Sequence, residues 1–236
     1  MQKPKVTAIV LAGGKGSRMH SDTPKQYLPL LGKPVLFYSL AAFEQSGADE
    51  IVLVTAAGEE EYCRKEITEK YGFQKVKAVV AGGAERYHSV YAGLLAAQGA
   101  DYVLIHDGAR PVISVPVINA SINKVKETGA CVVGMPVKDT IQIADEAGRI
   151  ADTPKRALTW IAQTPQCFSY AIALSSYNKA IAAGDRTITD DAMVVRKYAD
   201  ADVYLLEGGY ENIKITTPED IAVAEQLLKK SMGQVH

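Results

Sequence analysis

Two basic residues, Arg18 and Lys25, follow a cluster of glycines at Gly13, Gly14 and Gly16. Glycines let backbone N–H groups, here from Ala12 to Gly16, turn inward and approach phosphate oxygens closely. Arg18 offers a planar fork and Lys25 a mobile point charge. That set suits a polyphosphate, whose charge is not buried without partners. The plainer alternative is a tight turn with solvated basic side chains. Two common nucleotide loops do not match. No Gly-Lys pair is followed by Ser or Thr in the GxxxxGK[ST] spacing, and Met19 stands three residues after Gly16, where GxGxxG needs glycine.

A second glycine turn, Ala81-Gly82-Gly83-Ala84-Glu85-Arg86, is followed by Ser89. Backbone groups there, with the Ser89 hydroxyl, can read a base edge; a helix start closed by a glycine turn is the alternative. In His106-Asp107-Gly108-Ala109-Arg110-Pro111, Asp107 can hold a cation or a substrate hydroxyl, or pair with Arg110 and merely order its loop. His106 reads as a packed strand-end residue rather than a catalyst. Three further groups lie downstream: Asp139-Thr140 with Arg156, Thr189-Asp190-Asp191, and Asn212-Ile213-Lys214. Taken singly, each is more often structural. Lys214, between Ile213 and Ile215, can carry a charge into a cleft.

The elements that must position these residues alternate. Val6 to Leu11 is a β-branched apolar run ending at a glycine turn, which reads as a buried parallel strand. Helix over 34–45, strand over 51–55, helix over 59–71, strand over 76–80, helix over 85–97, strand over 102–106, helix over 115–127 and strand over 130–137 follow. Repeated βαβ units imply a mostly parallel, Rossmann-like sheet with helices on both faces. Ligands bind such sheets at the carboxyl ends of the strands, where the glycine turns and Asp107 fall. Residues 138–166 break the pattern and read as a β-arm leaving the sheet. Helices over 170–182 and about 190–198, short strands over 203–207 and 212–215, and a helix capped by Thr217 with Pro218 at its first position complete the chain. One domain over 1–236 accommodates all of this.

Composition removes other classes. With 26 Lys+Arg against 27 Asp+Glu, the 236-residue chain has a net charge of -1 and no global pull on nucleic acid or anionic membranes. An anionic ligand must therefore meet a local basic cluster. No run of about 18 apolar residues marks a membrane span, and the N-terminus lacks a signal-peptide pattern. Cys63, Cys131 and Cys167 are widely spaced and odd in number, which fits a reducing cytoplasm. His20, His88, His106 and His236 show no zinc spacing.

The ordered set LAGGKGSRM, PKQYLPLLGKPVL, GGAERYHSV, HDGARP, VKDTI, AQTPQCF, TDDA and ENIKITTPED resembles the 2-C-methyl-D-erythritol 4-phosphate cytidylyltransferases over about 6–228. Ribitol-5-phosphate cytidylyltransferases share most of these motifs, and a non-catalytic nucleotide-binding protein on the same fold is the reading from another class. The resemblance implies that Arg18, Lys25 and Lys214 act on the triphosphate and transferring phosphate of CTP. It implies nucleotide contacts at Ala12, Gly13, Gly14 and Gly16, and cytosine contacts at Gly83, Ala84 and Ser89. It puts Asp107, Arg110 and Thr189 on the methylerythritol phosphate. Thr140 and Arg156 match arm residues reaching the neighbouring subunit's substrate in a homodimer. Mg²⁺ is implied as a cofactor bridged mainly by phosphates, with Asp107 near it.

Overall fold

The computed structural model describes residues 3–14, 16–19, 21 and 23–233. Its strands are β1 (Val6–Ala12), the short pair β2 (Pro29–Leu30) and β3 (Lys33–Pro34), β4 (Glu50–Thr55), β5 (Val76–Ala81), β6 (Tyr102–Asp107) and β7 (Ala130–Pro136). A hairpin, β8 (Ile143–Ala144) and β9 (Ile150–Asp152), precedes β10 (Trp160–Ser169) and β11 (Tyr204–Glu207). The helices are α1 (Val35–Glu44), α2 (Glu60–Tyr62), α3 (Arg86–Ala96), α4 (Val115–Thr128), α5 (Tyr170–Ala183), α6 (Asp191–Ala199) and α7 (Glu219–Ser231). Short 3-10 turns cover Ser17–Met19, Lys25–Tyr27 and Arg156–Leu158.

Seven strands form one sheet in the order β11-β7-β10-β6-β1-β4-β5. Neighbours from β6 to β5 are parallel, as are β11 and β7; β10 alone runs against both of its neighbours. Side chains alternate across β1. Val6, Ala8, Val10 and Ala12 join a core with Leu36, Leu40 and Phe43 of α1 and Ile118, Ile122 and Val125 of α4. Ile9 meets the opposite core, with Tyr87, Val90 and Leu94 of α3 and Tyr177 of α5. Both faces are thus covered, as long runs of buried parallel strand require. A smaller cluster joins Met19, Leu30, Val35 and Tyr38 to Ile215, Ala224 and Leu228, and so ties α7 to the turns following β1.

Four local expectations change. The excursion from the sheet ends before residue 160: Trp160–Ser169 is a strand of the main sheet, buried from Gln163 to Phe168. The polar side chains of the run Gln163-Thr164-Pro165-Gln166, expected in the arm, enter the core. Here each is satisfied, Gln163 by Gly209, Thr164 by His106 and Asp107, and Gln166 by Asp190 and Ala192. Residues 212–215 are loop, not strand; they lie beside the carboxyl end of β6, where Ile215 N–H donates to Ala109 O at 2.8 Å and Arg110 to Asn212 O. Thr217 is not the cap of α7. The Asp220 carboxylate accepts from the N–H groups of Thr216 and Thr217 and holds that turn from inside the helix. The helix expected over 59–71 is one α-turn, Glu60–Tyr62, running into a π-helix over Cys63–Glu69. Sequence periodicity does not distinguish a five-residue from a four-residue hydrogen-bond step over so short a span.

Gly93 lies inside α3, where glycine is about 1 kcal/mol less favourable than alanine. Close packing explains it: a Cβ there would collide with Ile9 Cγ2 and lie 3.1 Å from Val54 Cγ2. Gly93→Ala is therefore expected to lower stability, because overpacking of about 1–3 kcal/mol outweighs the gain in propensity. Urea unfolding reads the sign, and a more stable variant would show that α3 can move off β1.

Candidate active site

The parallel order makes β1 the switch point, with β4 on one side and β6 on the other, so the loops leaving these strands diverge and open a crevice. A cleft of about 690 Å³ occupies it. Its walls are Ala12, Gly13 and Gly14 around the end of β1, Ala56 and Ala57 after β4, Gly82 to Arg86 after β5, and Asp107 and Ala109 around the end of β6. Lys25, Gln26, Ser89 and Lys214 complete it. The glycine turns and Asp107, about 95 residues apart at their extremes, are brought together simply by being strand ends of one sheet.

Charge converges on Asp107. Its carboxylate accepts from Lys214 Nζ at 2.8 Å and from Arg86 Nε at 3.2 Å. Burial pushes its pKa up, but the Arg86 and Lys214 cations outweigh this and hold it well below the usual carboxylate range. Arg86 in turn makes a two-pronged contact with Asp191, Nη1 at 2.7 Å and Nη2 at 2.8 Å. Asp191 is fully buried and also accepts from the Tyr177 hydroxyl. Lys25 donates to the Ile215 carbonyl at 2.8 Å, on the loop that carries Lys214. Burial and then the Lys214 charge lower the Lys25 pKa from the ordinary 10.5, with Arg18 adding to the effect and Asp107 opposing it. The alternative that Asp107 pairs with the Arg110 side chain does not hold. Arg110 Nη1 donates to the Asn212 carbonyl at 2.8 Å and braces the Lys214 loop instead.

The second glycine turn is closed by its own bonds. Gly82 N–H donates to Thr55 O at 2.7 Å, and Gly83 N–H to Ser89 Oγ at 3.2 Å. Ser89 Oγ donates to Glu85 O at 3.3 Å, so this hydroxyl shapes the cleft wall as well as facing it. In the first turn, Gly16 has φ +59°, and its missing Cβ leaves room for the Lys25 stem, whose Cγ would lie 3.2 Å away. Lys15 of the same motif lies outside the described residues, as do His20 and His236.

Thus Ala12, Gly13, Gly14, Lys25, Gly83, Ala84, Ser89, Asp107 and Lys214 line one cleft. Other candidates stand apart from its walls. Arg18 is exposed on the 17–19 turn, close enough to act on Lys25 through its charge. Thr189 is exposed before α6 and touches Met193 Sδ. Thr140 and Arg156 are exposed on the arm. Lys214 sits on a loop, not on a strand. His106 is fully buried, with Nδ1 3.0 Å from Thr164 Oγ1. Sequence reasoning gave no role to Arg86, Asp191 or Tyr177. Arg86 and Asp191 stood inside singled-out motifs, but their pairing spans 105 residues and left no local signal.

The family model described as 2-C-methyl-D-erythritol 4-phosphate cytidylyltransferase matches residues 6–230. A curated protein of that name from Lachnoclostridium phytofermentans is 49% identical, over 96% of this chain and 97% of its own. One from Lachnospira eligens is 50% identical over 94% and 99%. The crystal structure of a 4-diphosphocytidyl-2C-methyl-D-erythritol synthase from Anaerococcus prevotii superposes with a TM-score of 0.84 at 33% identity, covering 96% of each chain. That of the Thermus thermophilus cytidylyltransferase gives 0.76 at 30%, over 95% and 99%.

Burial lowers the His106 pKa to about 4 from the ordinary 6.5. Between those values the unfolded chain takes up a proton that the folded chain does not, so stability falls as pH drops through that window. The loss is about 3 kcal/mol across the window. Asp107 acts in a separate window: its depressed pKa contributes stability above the ordinary value of 3.8, lost as pH falls further. Urea unfolding from pH 7 to pH 4 is expected to show the histidine slope in the parent chain and not in His106→Gln. An equal slope in both would assign it elsewhere.

Proposed function

The chain belongs to the 2-C-methyl-D-erythritol 4-phosphate cytidylyltransferase family, and from that premise we propose how its residues carry out the reaction. The reaction transfers a cytidylyl group from CTP to 2-C-methyl-D-erythritol 4-phosphate, a step towards isoprenoid precursors, and gives the diphosphocytidyl alcohol and pyrophosphate. One observation carries the assignment of roles: Lys25 and Lys214 converge on one cleft at the strand ends, with Asp107 between cations.

A phosphate oxygen of the acceptor attacks the α-phosphorus of CTP. The new P–O bond forms as the bond to the β-phosphate oxygen breaks, and pyrophosphate leaves on the opposite side. The attacking phosphate is already ionised near pH 7, so no side chain has to remove a proton. Catalysis rests on bringing two polyanions together and stabilising charge on the transferring group. Lys25 and Lys214 supply that charge at the α-phosphate, and Arg18 extends it along the triphosphate. The N–H groups of Ala12, Gly13, Gly14 and Gly16 cradle the phosphates. Gly83, Ala84 and Ser89 face the cytosine. Asp107 and Thr189 serve the acceptor, and Arg110 acts through the Lys214 loop that it braces.

Magnesium fits the donor set in one way. Asp107 is a cleft carboxylate already shared by two cations, and among the described residues no three His, Cys, Asp or Glu side chains form a cage. Such a site suits an ion carried by phosphate oxygens and water, as Mg²⁺ usually is. When bound, it offsets charge on the phosphates.

The arm exposes a row of large apolar side chains: Ile141, Ile143, Ile150 and Leu158, with Ile161 beside them. Leu158 is 77% exposed and Ile150 67%, more than a lone surface residue needs to explain. A second copy of the chain covers them in our reading, and Thr140 and Arg156 reach that copy's cleft. Among the described residues, no helix is long and apolar enough to cross a membrane.

Lys25→Ala is expected to lower kcat by at least about 10²-fold, read as pyrophosphate release with methylerythritol phosphate and, in parallel, ribitol 5-phosphate. Near-normal turnover would remove Lys25 from the mechanism, and preference for ribitol 5-phosphate would reassign the acceptor. Mixed Lys25→Ala and Arg156→Ala protomers are expected to regain activity through heterodimers with one intact cleft. Confirmed subunit exchange without recovery would show that each cleft is complete within one chain.

A further inference from the structure

The lysine-bearing turn 25–27 is tied to the turn whose Ala56 and Ala57 also line the cleft, through a group that the reaction itself does not use. Tyr27 Oη donates to Glu59 Oε2 at 2.6 Å and lies 3.0 Å from Cys63 Sγ. The hydroxyl has one proton and Glu59 takes it, so the Cys63 thiol donates to Oη. Cys63 is fully buried at the point where α2 becomes a π-helix, and Glu59 closes the 56–59 turn, its N–H donating to Ala56 O at 3.1 Å. The Tyr62 ring meets the Tyr27 ring edge-on at 5.0 Å. Burial and these two contacts push the Tyr27 pKa far up, and burial takes the Cys63 thiol to about 11, so both stay protonated and neither serves as an acid, base or nucleophile near neutral pH.

Two cleft walls meet at this hydroxyl. Lys25 and Gln26 precede Tyr27 directly, and Ala56 and Ala57 precede Glu59. On its other side, the Lys25 ammonium rests on a single carbonyl, Ile215 O. We infer that Tyr27, locked by Glu59 and Cys63, is a positioning residue that sets where Lys25 stands relative to the wall formed by Ala56 and Ala57. The inference rests on the role given to Lys25 above. Its physical basis is that preorganised charge works only when held in place: a shift of about 1 Å in a reacting group can cost about 10²-fold in rate. π-Helical turns such as the one that begins at Cys63 are frequent at functional sites.

A double-mutant cycle tests it, using the full chain with CTP and methylerythritol phosphate. Tyr27→Phe keeps the ring packing and removes only the hydroxyl. It is expected to lower kcat about tenfold, with a smaller change in the KM for CTP and an unfolding midpoint close to that of the parent. Glu59→Ala should match it, the double variant should be no slower than either single one, and Glu59→Gln, which keeps an acceptor oxygen, should recover most of the rate. Parent-like kcat in Tyr27→Phe overturns the inference, as do losses that multiply in the double variant. Parent and Lys25→Ala are run alongside. If they differ as expected while Tyr27→Phe turns over normally, the link fails and the role of Lys25 stands.

Discussion

Everything in the cleft depends on keeping like charges together before the ligand that neutralises them arrives. Lys25, Lys214 and Arg86 stand around one opening, and their mutual repulsion would disperse them. The buried carboxylate of Asp107 counters this by pairing with Arg86 and Lys214. A second buried carboxylate, Asp191, takes the rest of the Arg86 guanidinium, so Arg86 serves more as a link between acids than as a free cation. Lys25 has no carboxylate of its own within bonding distance among the described contacts and leans on a backbone carbonyl. No ion pair among the described contacts therefore has to break for it to meet an anion.

That arrangement fixes what the fold has to supply. The parallel strands bring three loops and Asp107 to one edge of the sheet. The reversed strand β10 supplies the polar residues that brace them: Thr164 accepts from Asp107 N–H and contacts His106, and Gln166 holds Asp190 and the first turn of α6. The loop from 208 to 216 then borders the cleft through Lys214, anchored by Gln163 on Gly209, Arg110 on Asn212, and Asp220 on Thr216. Lys214 owes its place to these anchors rather than to a strand. Unsatisfied buried polar groups cost stability, which accounts for the density of side-chain bonds here; among the described residues of this region Arg110 Nε and Asn212 Oδ1 are left without a partner.

The arm answers a different requirement. Its residues from 138 to 158 are almost all exposed, and its base is closed by Val137 N–H donating to Thr159 O at 3.0 Å. Tyr210 caps that base, its hydroxyl on Pro136 O and its ring under the Lys138 ammonium at 3.6 Å. The same 208–216 loop therefore touches both the root of the arm and, through Lys214, the cleft. The exposed Ile143, Ile150 and Leu158 on this firmly rooted segment are the feature on which the proposed contact with a second copy rests.

Much of this was legible in the residues themselves. Buried strands ending in glycine turns are local patterns, so β1, β5 and β6, and the cleft at their ends, followed from runs of apolar residues and the turns that stop them. Lys25, Asp107 and Ser89 are legible because each stands near such a turn: Asp107 ends β6, Ser89 follows the second glycine pair into α3, and Lys25 follows the first glycine cluster. What only tertiary structure decided was pairing across long separations: Arg86 with Asp191, Lys25 with the Ile215 carbonyl, and Tyr27 with Glu59. No periodicity records these contacts, because they depend on where two loops meet after the sheet has formed. The strand at 160–169 reads as part of the arm, and only the packed chain puts it in the main sheet, where partners from distant loops satisfy its polar residues. Local composition decides which segments are buried and where they turn; which charge faces which is decided by the packed chain, since electrostatic energy depends on distance in space and not along the sequence.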